Sequence, residues 1–214
     1  YLTKKVIDET MIPTPKYLIS NINDISERFI LEIYDEFGSF VLKPISSGSS
    51  FGINIFKKKT DIKLFFKNIK KNKKTYNNHE NILIEKYIEG RELTVSVVEK
   101  NKKNYAIEVT EIVQQSEYFD YKSKYTPGFS KHILPANIPK SFYEKSKLYG
   151  KIAHEVINCR GISRSDFIYN KEGIFFLEIN TQPGLTPISL LPEQLKYQGV
   201  SFEELILNII NCVE

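Results

Sequence analysis

The segment Phe175-Phe176-Leu177-Glu178-Ile179-Asn180-Thr181-Gln182-Pro183-Gly184 constrains this chain more than any other. It reads as an apolar strand that carries two oxygen donors and then breaks into a Gly turn. Strand side chains alternate faces, so Glu178 and Asn180 point one way, while Leu177 and Ile179 are expected to point into a core. A carboxylate and an amide at the end of a buried strand are costly unless something binds them. A hard divalent cation carrying phosphates would offset that cost.

A partner strand stands just upstream, in Gly161-Ile162-Ser163-Arg164-Ser165-Asp166-Phe167-Ile168-Tyr169. Asn170-Lys171-Glu172-Gly173 joins the two as a short hairpin connection. With a three-residue loop centred on Glu172, Asp166 falls opposite Glu178 and Arg164 opposite Asn180. All four then share a face, provided the register does not slip by one. Asp166, Glu178 and Asn180 offer a metal site, and Arg164 an anion or oxyanion donor. A cross-strand ion pair on a solvated sheet face is the alternative.

A second cluster lies nearer the start. Phe40-Val41-Leu42-Lys43-Pro44 reads as an apolar strand, and Ser46-Ser47-Gly48-Ser49-Ser50 follows it. Such a loop supplies backbone N–H groups, hydroxyls and little bulk, as a phosphate cradle requires. It lacks the Gly-Lys-Ser/Thr of a P-loop, and an ordinary turn has the same composition. Ile82-Leu83-Ile84-Glu85-Lys86-Tyr87-Ile88-Glu89-Gly90-Arg91-Glu92 is a strand that turns at Gly90. Backbone groups near Lys86 and Ile88 suit an adenine edge, and Glu92 suits ribose hydroxyls. A plain interdomain turn with surface acids is the bland reading.

Between these pieces the periodicity predicts helices over residues 3–10, 22–35 and 61–71, and from Pro139 through Asn158. The inner side of the last is assigned to Phe142, Leu148, Ile152, Val156 and Ile157. A final helix, opened by a capping box of Ser201 and Glu204, carries Leu205, Ile206, Ile209, Ile210 and Val213. Strands are expected over 52–56, 92–98 and 105–112, and a long polar-aromatic loop over 111–129. Strands in meanders with single helices between them predict an α+β fold with largely antiparallel sheets, divided near Tyr87–Gly90 into units 1–87 and 88–214.

Composition narrows the function classes. At 214 residues, 41% hydrophobic and 26% charged, the chain is an ordinary globular protein of one or two domains. No apolar run approaches the ~18–20 residues of a membrane span. Cys159 and Cys212 are too few for a disulfide framework, so a cytoplasmic location is expected. The 30 basic residues are 26 Lys and 4 Arg, for a net charge of +4. The lysines between Lys57 and Lys74 raise a nucleic-acid patch as an option, but they lack Arg and interleaved aromatics, and a solvated face is the simpler reading. The chain begins at Tyr1 and its single Met is Met11, so residues are expected to precede it.

Four motifs together resemble the ATP-grasp superfamily, and within it the D-alanine–D-alanine ligases. They are Val41-Leu42-Lys43-Pro44 with Gly48-Ser49-Ser50-Phe51-Gly52; the Ile84–Glu92 run; Tyr118-Phe119-Asp120-Tyr121-Lys122-Ser123-Lys124-Tyr125; and the Glu178–Gly184 run. The third, followed by Pro135-Ala136, is similar to the active-site loop of the D-alanine-selecting members. The resemblance implies two α+β subdomains gripping ATP between their sheets, here the central one (1–87) and the C-terminal catalytic one (88–214). The family's N-terminal substrate domain would lie outside these residues, so the stretch alone is expected to bind nucleotide weakly and form no dipeptide.

The resemblance also implies roles. Lys43, Lys124 and Ser50 would bind phosphates, Glu85, Lys86 and Ile88 adenine, and Glu92 ribose, with Tyr118 and Leu177 lining the ring. Asp166, Glu178 and Asn180 would hold two Mg2+ (or Mn2+). Arg164 and the amide of Gly184 would stabilise an oxyanion. Ser189 and Leu190 would hold the carboxylate of the second D-alanine, and Ser49 and Tyr125 would belong to a hydrogen-bond triad. The implied activity is ATP-dependent ligation of two D-alanines for peptidoglycan synthesis, by a cytoplasmic homodimer with no nucleic-acid or membrane partner. Other ATP-dependent carboxylate–amine or carboxylate–alcohol ligases, and a non-catalytic nucleotide-binding module, remain as alternatives. Residues 114–131 are expected to be a lid that orders over nucleotide.

Overall fold

A computed structural model describes residues 2–45, 52–68, 81–114 and 130–212. The chain forms two compact units. The first contains residues 15–88 and is built on a four-stranded antiparallel sheet in the order β1-β4-β2-β3. Its strands are β1 (Tyr17–Asn21), β2 (Phe40–Pro44), β3 (Asn54–Phe56) and β4 (Asn81–Lys86). Helices α2 (Glu27–Phe37) and α3 (Lys59–Lys67) belong to the same unit. Ser26 starts α2 by accepting the Phe29 N–H, and Gly38 stops it at φ 71°, where a side chain would be strained. Phe40, Leu42, Phe56, Ile62, Phe65, Ile82 and Ile84 form the core with Ile30 and Ile33 of α2.

Among the described residues, the second unit contains 89–114 and 130–212, together with residues 2–14. Its five-stranded antiparallel sheet has the order β7-β6-β5-β8-β9. The strands are β5 (Arg91–Lys100), β6 (Lys103–Gln114), β7 (Ser130–Ile133), β8 (Ile162–Asn170) and β9 (Gly173–Asn180). Helix α1 (Leu2–Asp8) and helix α4 (Lys140–Val156) pack on one core with Leu93, Val95, Val109, Phe167 and Phe176. Helices α5 (Leu190–Tyr197) and α6 (Phe202–Asn211) share another with Val98 and Ile162.

The antiparallel α+β architecture is the expected one, with several local differences. The opening segment, expected in the first unit, belongs to the second. Ile7 and Ile12 are buried in that unit's core, and the Lys4 ammonium donates to the Phe176 carbonyl at 3.0 Å. The strands β1 and β7 and the helix α5 were not anticipated as elements. The strand expected to end at Ile112 continues through Val113 and Gln114, expected only in a loop, and Glu111–Gln114 pair with Ser130–Ile133. The inner face of α4 also differs. Leu148 and Val156 are exposed, and the helix buries Ser146, Tyr149, Gly150 and Ala153 instead. A Cβ on Gly150 would meet Val95 Cγ1 at 2.8 Å, so the helix lies too close to β5 there for any side chain. On α6, Leu205 is buried but Ile210 is exposed.

Candidate functional site

The β8–β9 hairpin sets the site. Asn170 pairs with Gly173 across a two-residue turn, Lys171-Glu172, rather than the three-residue loop expected. The ladder then shifts between Phe167↔Phe176 and Asp166↔Glu178, so Leu177 is the extra residue of a bulge. The bulge makes up the residue that the shorter turn removes. Asp166 therefore stands opposite Glu178, and Arg164 opposite Asn180. The bulge also moves Leu177 out of the core. Ile174 and Phe176 are buried, Ile179 is partly buried against them, and Leu177 is half-buried outside that cluster.

Strand β5 extends these rows. Its register is Thr94↔Asp166 and Ser96↔Arg164. Directly paired residues share a face, so Thr94, Asp166 and Glu178 form one row across three strands, and Ser96, Arg164 and Asn180 the next. Burial is uneven along the rows. Asp166 is 5% exposed, whereas Glu178 is exposed and carries no burial cost. The Asp166 carboxylate receives Arg164 Nε at 3.0 Å on Oδ1 and Arg164 Nη2 at 2.9 Å on Oδ2. The Thr94 hydroxyl adds a 2.7 Å bond to Oδ1. Asn180 Oδ1 accepts the Gln182 N–H at 3.0 Å and so shapes the turn after β9.

Two carboxylates and one amide are all oxygen donors, which suits Mg2+ or Mn2+. Among the described residues no three His, Cys, Asp or Glu side chains stand together, so a cation here would depend on the amide of Asn180 as well. The buried Asp166 already faces a positive charge, the Arg164 guanidinium. The oxygen-only donor set fits a divalent cation, which would share the Asp166 carboxylate with that guanidinium.

After β9 the chain turns back on itself. Ser189 is the N-cap residue of α5, and its hydroxyl lies 2.8 Å from Thr186 Oγ1. A Cβ on Gly184 would meet Ser189 Oγ at 2.8 Å. Gly184, Ser189 and Leu190 are thus gathered at the start of one helix, with the residue at 184 kept small by the Ser189 hydroxyl.

In the first unit, Lys43 of β2 and Glu85 of β4 form an ion pair at 2.8 Å, with Glu85 buried. Val41 and Glu85 are ladder partners, and Lys43 lies two residues along the same face. The Lys86 N–H donates to the Lys16 carbonyl at 2.8 Å, and Ile88 is half-buried. Glu92, half-buried on β5 of the second unit, is paired in the ladders with Ile112 and Ile168. Ser49, Ser50, Tyr118, Lys124 and Tyr125 lie outside the described residues, as does most of the expected lid.

Thr94 is not among the site residues expected from the sequence. Its signal is faint: with Ser96 it is one of two hydroxyl residues in the otherwise apolar run Leu93–Val98.

The two antiparallel α+β units define the ATP-grasp fold. The match is closer than the fold alone. A family model described as D-ala D-ala ligase C-terminus covers residues 7–211, and the chain belongs to that family. It is 39% identical to a D-alanine--D-alanine ligase of Zymomonas mobilis, over 98% of this chain and 63% of the relative. A second such ligase, from Erythrobacter litoralis, is 37% identical over 99% of this chain and 63% of the relative. The chain thus spans less than two thirds of the length of these relatives. Among solved structures, the D-alanyl-alanine synthetase A of Vibrio cholerae superposes with a TM-score of 0.81 at 27% identity, covering 98% of this chain and 63% of that one. The VanG D-Ala:D-Ser ligase of Enterococcus faecalis gives 0.78 at 27%, covering 98% and 60%.

Proposed function

We propose that these residues are the nucleotide- and metal-binding part of a D-alanine–D-alanine ligase. The observation that carries this reading is the pair of rows Thr94–Asp166–Glu178 and Ser96–Arg164–Asn180, in a chain whose family model spans residues 7–211. A carboxylate is a poor electrophile, and the ligase activates it with ATP. The carboxylate oxygen of one D-alanine bonds to the γ-phosphorus and ADP leaves, giving an acyl phosphate. The amine of a second D-alanine then bonds to the acyl carbon, inorganic phosphate leaves, and the amine proton goes to solvent.

In this reading Asp166, Glu178 and Asn180 would hold Mg2+ or Mn2+, which would supply positive charge to the phosphoryl group in transfer. Lys43 donates to ATP phosphates, with Lys124 and Ser50 in the same role. Glu85, Lys86 and Ile88 hold adenine beside Tyr118 and Leu177, and Glu92 accepts from the ribose. Arg164 and the Gly184 N–H stabilise the oxyanion of the second step. Ser189 and Leu190 hold the acceptor's carboxylate, and Ser49 and Tyr125 order the loops around the donor. The division into a central subdomain ending near residue 87 and a catalytic one from 88, a cytoplasmic location and a homodimeric assembly belong to the same proposal. No helix among the described residues is long and apolar enough to cross a membrane.

The test is product formation by the natural-length protein given ATP, Mg2+ and D-alanine. D-alanyl-D-alanine is expected, with ADP and phosphate in equal amounts. The resemblance to a D-Ala:D-Ser ligase makes D-serine the competitor to include. Faster turnover with D-serine or D-lactate as acceptor would reassign the substrate within the family, and no ADP with any acceptor would overturn the reading.

A further inference from the structure

The inner face of the second sheet carries a polar chain that ligand binding alone does not require. Thr94, Thr110 and Gln194 are each fully buried. Gln194, on α5, satisfies both ends of its amide. Its Oε1 accepts the Ser96 N–H at 3.0 Å, and its Nε2 donates to Thr110 Oγ1 at 3.0 Å and to the Thr94 carbonyl at 3.3 Å. Ser96 sits where the β5–β6 ladder shifts register, between Val95↔Val109 and Val97↔Ala106. The Gln194 carbonyl thus stands in for a ladder partner at the irregularity. Thr94 continues the chain, because its hydroxyl gives its proton to Asp166 Oδ1 at 2.7 Å. A carboxylate can only accept, so the direction of that bond is fixed.

We propose that Thr94 and Gln194 are positioning residues for the divalent cation. Thr94 holds Oδ1 of the Asp166 carboxylate from the β5 side, and with the Arg164 fork it sets the rotation of that group. Gln194 holds the strand segment that carries Thr94, and so ties the metal-binding row to α5, the helix that begins beside Ser189. The inference rests on the ligase reading of Asp166. Its logic is that of outer hydrogen bonds around metal ligands, which orient the ligand without touching the metal.

The experiment measures Mn2+ binding to the natural-length protein in the presence of ADP, from the electron paramagnetic resonance signal of free Mn2+. Thr94→Val keeps the side-chain shape and removes the hydroxyl. It is expected to weaken Mn2+ binding by about 10- to 100-fold. Thr94→Ser should restore affinity to near that of the unaltered protein, and melting temperatures should stay close together across the three proteins. Should Thr94→Val fold poorly, Thr94→Cys, with its weaker donor, should fall between Ser and Val. Gln194→Met should weaken Mn2+ binding in the same sense, and the double variant should be no weaker than Thr94→Val alone. Unchanged Mn2+ affinity in folded Thr94→Val, or failure of Ser to restore it, overturns the proposal. Fully independent effects of the two substitutions overturn the relay through Gln194. No Mn2+ uptake by the unaltered protein overturns the ligase reading itself, and this proposal with it.

Discussion

Asp166 shows how a single side chain can be buried and still ionic. Its two oxygens are taken by Arg164 and Thr94, three charge-assisted hydrogen bonds in all. His154 is the contrary case. It is fully buried on α4, with Nδ1 2.8 Å from Ser163 Oγ and Nε2 without a hydrogen-bond partner among the described residues. Burial pushes the imidazole below its ordinary value, against the opposing pull of Glu99 on β5 and Glu155 on its own helix. The unfolded chain therefore takes up this proton first. Stability from the neutral ring is complete above about pH 6.5, the unfolded value, and is lost as pH falls from there toward the folded value. Unfolding midpoints in urea are expected to drop from pH 7 to pH 5, with a slope from this group of at most about 1.4 kcal/mol per pH unit. His154→Gln should remove that part of the slope. An unchanged slope would place the acid sensitivity elsewhere.

At the scale of elements, two irregular ladders carry the site. The bulge at Leu177 compensates for the two-residue turn, so an expectation built on a three-residue loop reached the right pairing of Asp166 with Glu178. The alternation of FFLEIN made the shared face of Glu178 and Asn180 legible. A bulge has no fixed residue signature, so the outward position of Leu177 was not. The α4 face differs from the expected one for another reason. Leu148 and Val156 look like core residues, but the close approach of helix to sheet selects Ser146, Gly150 and Ala153. Small residues at helical spacing were the signal. Gly150→Ala should test that approach. Alanine favours the helix by about 1 kcal/mol, but its methyl overlaps the stiff Val95 side chain, an overpacking cost of about 1–3 kcal/mol. A net loss of about 1 kcal/mol is expected in chemical denaturation, the difference of those two effects. Val95→Ala in the same chain should reduce the loss from Gly150→Ala. A gain in stability from Gly150→Ala alone would mean that the helix stands farther from β5.

For the molecule as a whole, the sequence revealed two α+β units because each closes its own core. Ile30, Phe40, Phe56 and Ile84 serve one, and Leu93, Phe167 and Phe176 the other. It did not reveal that residues 2–14 belong to the second unit, because Pro13-Thr14-Pro15 marks only where the helix stops. That attachment depends on Lys4 and Ile7 meeting residues more than a hundred positions away. In the proposed function, the carboxylates of β8 and β9 bind the cation that ATP chemistry needs. The most direct test is Mg2+-dependent ATP turnover by the natural-length protein carrying Glu178→Gln, a substitution at an exposed position that leaves the cores intact. Turnover should fall by at least about 100-fold, since a metal ligand matters at least as much as its outer supports, while the melting temperature without nucleotide stays unchanged. Turnover equal to that of the unaltered protein at limiting Mg2+ would contradict the assignment.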